Sequence, residues 1–104
     1  YQVIGTTVID ASRNINVVNI TSTGTTTLQA CNPVTDNTYD LGTSVLRWRN
    51  VYTTDLHLSN EGKPEGNEVD GTTGNWTIQE GDENLYILNN KTGKKYKFAL
   101  EEIT

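Results

Sequence analysis

A chain of 104 residues with 34% hydrophobic positions and a mean hydropathy of -0.56 holds one domain, or two small ones, and little apolar material for a core. Its net charge of -5 speaks against a nucleic-acid binder, which needs a clustered basic face, and no apolar run has membrane-spanning length. A single cysteine, Cys31, excludes an intrachain disulfide and a cysteine-rich zinc site. With no methionine, the sequence reads as a processed product or a piece of a longer polypeptide.

The first forty residues scatter isolated Val and Ile among Thr, Asn and Ser, and four short strands are expected there, at 2–4, 7–10, 15–20 and 25–30. Gly5, Ser12-Arg13-Asn14 and Ser22-Thr23-Gly24 punctuate them at intervals of roughly ten residues, a spacing that suits repeating β-architecture. Such an arm holds too little apolar area to offset its own ordering entropy, so it is expected to find its core in other chains. Pro33 and the Asp36-Asn37 pair make residues 31–38 a loop.

After Asp40-Leu41-Gly42, Thr43 or Ser44 is placed to cap one or two helical turns reaching Arg49. The β-branched and aromatic run at 51–54 favours a strand. In Asp55-Leu56-His57-Leu58 the alternation puts both leucines on one face and the acid and imidazole on the other. Residues 59–74 carry Gly, Asn, Glu, Asp and a proline, with Val69 their only large apolar residue; this is the expected mobile loop.

Order is expected to return in the tail. Residues 75–79 form a strand with Trp76 and Ile78 on one face, 80–84 a turn, and 85–89 and 94–101 a hairpin around Asn90-Lys91-Thr92-Gly93. Tyr96, Phe98 and Leu100 share one face of the last strand; Lys95, Lys97 and Ala99 take the other. The fold class is therefore all-β: a slender β-arm or triple-stranded shaft followed by a small antiparallel C-terminal β-domain. The segments are an arm at 1–38, a junction at 39–58, a loop at 59–74 and a tip at 75–104.

Asp40-Leu41-Gly42-Thr43-Ser44-Val45-Leu46-Arg47-Trp48-Arg49-Asn50-Val51-Tyr52 resembles a motif of bacteriophage tail fibres and related virion adhesins. There a Leu-Gly-Ser/Thr-Ser turn precedes Arg-Trp, two further residues, Ile/Val and Tyr. The stretch Val8-Ile9-Asp10-Ala11-Ser12-Arg13-Asn14-Ile15 looks like the shaft sequence leading into it. Residues 70–81, together with Gly93-Lys94-Lys95-Tyr96-Lys97-Phe98, are similar to the C-terminal ends of structural proteins of T4-like marine phages, cyanophages among them. The resemblance implies a homotrimeric fibre component of the virion, partnered by other tail proteins and by a glycan or protein receptor on the host surface. Sparse apolar residues on alternating positions point to an intertwined trimer too, because three chains about an axis build a core that one chain lacks. Leu41, Leu46, Trp48, Val51, Tyr52, Leu56 and Leu58 are the candidate interface, with Trp48 as the lock.

Chemistry is thinly represented. His57 is the only imidazole, and Asp55 beside it lacks any hydrolase context. The acids Glu61, Glu65, Glu68 and Asp70, and again Glu80, Asp82 and Glu83, read as charged loops rather than a glycosidase pair. Neither 70–72 nor 81–84 has the spacing of a calcium loop. No catalytic residue, metal or cofactor is expected. Trp76, Tyr86 and Tyr96 are candidate receptor contacts, able to stack on saccharide rings, although a small sheet would use the same residues for packing. A virion decoration or baseplate-bridging protein is the alternative function, and a fragment of a tail-associated polysaccharide depolymerase a third.

Overall fold

The computed structural model of the chain describes residues 2–3, 5–7 and 9–104, and every regular element in it is a β-strand. Two compact units divide it, Tyr1–Asn32 and Pro33–Thr104.

In the first unit, β1 (Gln2–Val3) and β2 (Thr6–Thr7) pair antiparallel. The expected strands at 2–4 and 7–10 include Ile4 and Val8, which lie outside the described residues. Ile9 and Ile15 then form an isolated antiparallel bridge. Between them the expected turn is present and braced by one carboxylate. Asp10 Oδ1 accepts from the backbone N–H groups of Ser12 and Asn14, both at 2.9 Å, while Arg13 adopts a left-handed φ of 66°. The expected strands at 15–20 and 25–30 do not form. Thr, Val and Ile are strand formers only when a neighbouring strand supplies the ladder and a surface to pack on, and here none does. Cys31 is exposed.

The second unit holds a four-stranded antiparallel sheet in the order β3 (Leu56–Ser59), β4 (Asn75–Glu80), β5 (Leu85–Asn89) and β6 (Lys95–Lys97). The sequence leads to expect three of these strands as the tip. The fourth, β3, comes from the stretch assigned to the junction and pairs across a loop with β4 from Leu56↔Ile78 to Ser59↔Asn75. The last strand is shorter than the expected 94–101, although the Phe98 N–H still donates to the Leu85 carbonyl at 3.0 Å. Gly93, at φ 77°, turns the β5–β6 hairpin and donates to the Asn89 carbonyl at 2.8 Å.

No helix forms at 43–49. The Thr43 hydroxyl accepts from the Leu46 N–H at 2.9 Å as a helix cap would, but the Thr43 N–H donates to the Leu46 carbonyl at 2.9 Å. That bond folds the chain back on itself instead of propagating a helix. The strand expected at 51–54 is likewise absent.

Residues 59–74 are expected to be the mobile part and are instead a heavily braced loop. Asn67 Oδ1 accepts from the N–H groups of Val69 and Asp70 at 2.8 and 3.0 Å, and its amide donates to the Thr72 carbonyl at 2.9 Å. Asn60 Oδ1 accepts from the Gly74 N–H at 2.7 Å, pinning the loop to the start of β4. Gly66 is buried at φ 69°, so close to Gly71 that no side chain fits between them.

Candidate functional site

Strand register assigns each side chain to one of two sheet faces. On the first, Leu56, Ile78, Ile87 and Tyr96 form a row crossing all four strands, flanked by Leu58 and Trp76. The Trp76 and Tyr96 rings meet at 5.9 Å between centroids, tilted by 38°. This face is partly open. Leu56, Leu58 and Tyr96 are each nearly half exposed, and among the described residues no apolar side chain is buried anywhere.

The second face is polar and internally satisfied. Thr77, 3% exposed, lies at its centre. Its hydroxyl is 3.0 Å from His57 Nδ1 and accepts from the Asn90 amide at 2.8 Å, and the same amide donates to Asn75 Oδ1 at 2.9 Å. Gln79 donates to Asp55 Oδ2 at 3.3 Å. His57 and Asp55 share this face as the alternation predicts, and each is bonded to a different partner on β4, His57 to Thr77 and Asp55 to Gln79.

The remaining interface candidates lie outside the sheet. Trp48 lies beside Gly42, whose left-handed φ of 80° and missing side chain suit the turn; a Cβ there would stand 3.1 Å from the Leu46 carbonyl oxygen and in ordinary contact, 3.5 Å, with Trp48 Cδ1. The Arg47 guanidinium closes the same turn on the Ser44 carbonyl at 2.8 Å. Leu41, Leu46, Trp48, Val51 and Tyr52 are all exposed, Tyr52 at 92%. The structure thus gathers Leu56 and Leu58 with Trp76 and Tyr96 on one surface and leaves the other candidates uncovered. Ile78 and Ile87, which complete the apolar row, are absent from the sequence-derived set; their place on the alternation of β4 and β5 is the signal that finds them.

Two concavities flank the sheet. The larger, about 810 Å³, is lined by Trp76 and by polar residues of the braced loop. Asn60, Asn67 and Thr72 there are already committed to one another, and Asp70 Oδ1 accepts from the Thr72 hydroxyl at 2.8 Å. These bonds, the Thr72 hydroxyl first, its backbone N–H next and Asn67 after it, hold the Asp70 carboxyl below its ordinary value. The carboxylate braces the loop through Oδ1, which accepts from Asn67, from the Thr72 N–H and from the Thr72 hydroxyl. The smaller hollow, about 370 Å³, lies on the polar face around Tyr86, Leu88 and Lys95. Register puts Tyr86 on the face opposite Trp76 and Tyr96, although Tyr86 and Tyr96 both line this smaller hollow.

Among the described residues no group of His, Cys, Asp and Glu is gathered as a metal site, and no helix is long and apolar enough to cross a membrane. Compared with protein-family models, curated proteins and solved structures, the chain matches none.

Proposed function

We propose that this chain is a non-enzymatic structural segment of a bacteriophage tail fibre or spike, assembled as a homotrimer in the virion and contributing to host-cell attachment. The observation that carries the reading is the absence of any buried apolar side chain among the described residues, beside an apolar row laid open across the sheet. A soluble chain with that distribution needs other chains to complete its core. Closing off the exposed halves of Leu56 and Tyr96 contributes about 1 kcal/mol each, and the more buried Ile78 and Ile87 add less, so the row gives each chain on the order of 2 kcal/mol before the cost of association. The resemblance of residues 40–52 to the fibre motif supplies the identity of the partner, a second and third copy. The Trp48–Gly42 turn is consistent with a rigid anchor for the interchain contact. Attachment then works through repeated weak contacts presented together, where avidity multiplies modest affinities.

Light scattering on the chain at low micromolar concentration, with and without Trp48→Ala and Leu58→Lys, tests this. The expected result is a trimer that dissociates on either substitution. A folded monomer indifferent to both would refute the assembly.

A further inference from the structure

The polar face of the sheet carries a feature that its internal bonding does not use. Tyr86 meets the β4–β5 turn with the edge of its ring: a Cβ on Gly81 would stand 2.6 Å from Tyr86 Cε2 and 3.5 Å from Cδ2, so only glycine lets the ring settle there. The ring edge is thereby seated on the turn, and the residue stays 38% exposed. Register places Gln79 on one side of Tyr86 and Lys97 on the other, with Lys95 next along β6 beside Leu88. Gln79 is oriented by its amide bond to Asp55, which leaves its own carbonyl oxygen as an acceptor. Lys95 and Lys97 are exposed and, among the described residues, meet no carboxylate within ion-pair distance, in a chain whose overall charge is -5. The hollow of about 370 Å³ is lined by Gln79, Tyr86, Leu88, Lys95 and Tyr96, with Lys97 beside it as the cross-strand neighbour of Tyr86.

We propose that this shelf binds an acidic sugar unit of a polysaccharide, carboxylate- or phosphate-bearing. The exposed ring face takes the C–H face of the sugar, the two ammonium groups take the anionic substituent, and the Gln79 carbonyl accepts from a hydroxyl. A neutral sugar would leave two cations unmatched, and an extended acidic peptide would not use the flat, pre-set ring. The inference rests on the attachment role proposed above and gives that role its ligand class. Register puts Tyr86, Lys95 and Lys97 on the face opposite the apolar row, and the two surfaces meet only at Tyr96, which ends the row and also lines the hollow.

The test is binding of the full chain to immobilised polygalacturonate, dextran and poly-L-glutamate, repeated with Tyr86→Leu, Tyr86→Phe and the double variant K95Q/K97Q. Light scattering and circular dichroism are recorded on every sample. Binding to polygalacturonate, none to dextran and at least about tenfold weaker binding to polyglutamate are expected. Tyr86→Leu and K95Q/K97Q should each weaken binding by about tenfold or more, and Tyr86→Phe should retain it. Equal binding to polyglutamate reassigns the shelf to acidic peptides and overturns the proposal, as does indifference to Tyr86→Leu. A trimer that ignores every polymer removes the shelf and leaves the assembly standing. A monomer that binds polygalacturonate does the reverse.

Discussion

Replacing Gly66 by alanine isolates what holds the braced loop. Gly66 sits at φ 69°, where an L-residue with a Cβ costs about 1–2 kcal/mol. The added carbon would also lie 2.5 Å from the Gly71 carbonyl carbon and 2.8 Å from the Thr72 oxygen. Both are backbone atoms, so no rotamer change relieves the contact. The loop has to open, and the bonds from Gly71 N–H to the Asn67 carbonyl (3.1 Å) and from Asn67 N–H to the Thr72 carbonyl (3.0 Å) go with it. At about 1 kcal/mol per bond plus the backbone strain, the substitution costs on the order of 3 kcal/mol. Gly71→Ala is the control: it has the same handedness, φ 73°, but nothing within 4 Å of the new carbon, so only the strain of about 1 kcal/mol remains. Urea denaturation at one fixed protein concentration, with amide exchange of Asn67, Gly71 and Thr72, measures the difference. If the two variants unfold within about 0.5 kcal/mol of each other, near the ordinary scatter of surface substitutions, close approach is not what shapes the loop.

Three further outcomes follow from the polar bonding. Thr77→Val keeps the shape of the buried side chain but removes the hydroxyl shared by His57 and Asn90, and should destabilise the sheet by about 1–2 kcal/mol in chemical denaturation, with Thr77→Ser largely restoring it. Because its folded-state pKa is lowered from 3.8, the Asp70 brace contributes stability above that pH and loses it as pH falls through the folded value; amide exchange in the loop should accelerate there, and Asp70→Asn should flatten that dependence. Gly42→Ala forces a left-handed residue with a Cβ 3.1 Å from the Leu46 carbonyl oxygen, so Trp48 fluorescence should shift as the ring loses its seat.

The parts legible in the sequence are those whose information is local. The hairpin around Asn90–Gly93 follows from turn chemistry and strand alternation, and Leu85–Asn89 forms where alternation puts it. The facing of Trp76 with Ile78, and of Lys95 with Lys97, follows from a period of two. What escaped depends on partners distant in sequence. The alternation of residues 55–58 shows a strand but not that it closes the sheet beside β4, across the whole braced loop. The loop itself reads as mobile because Asn, Asp and Gly compose flexible and tightly hydrogen-bonded loops alike; only the placement of Asn60 and Asn67 separates the two. Residues 15–20 and 25–30 err the other way, since strand propensity is a statement about a neighbour that this chain does not supply. For the candidate site, Leu56 and Leu58 are visible, whereas Gly81 at the edge of the Tyr86 ring leaves no mark beyond a turn residue.

The one buried side chain among the described residues is a threonine, and this has a calorimetric consequence. Heat-capacity change on unfolding tracks the apolar area exposed, so a single chain of this kind carries little of its own, and most of the signal belongs to whatever event hides the apolar row. Melting of the assembled protein should therefore be broad and shallow when dilute, then sharpen and climb as concentration rises. In the trimer proposed above, thermal stability is a property of the population, set by how many copies are present to meet.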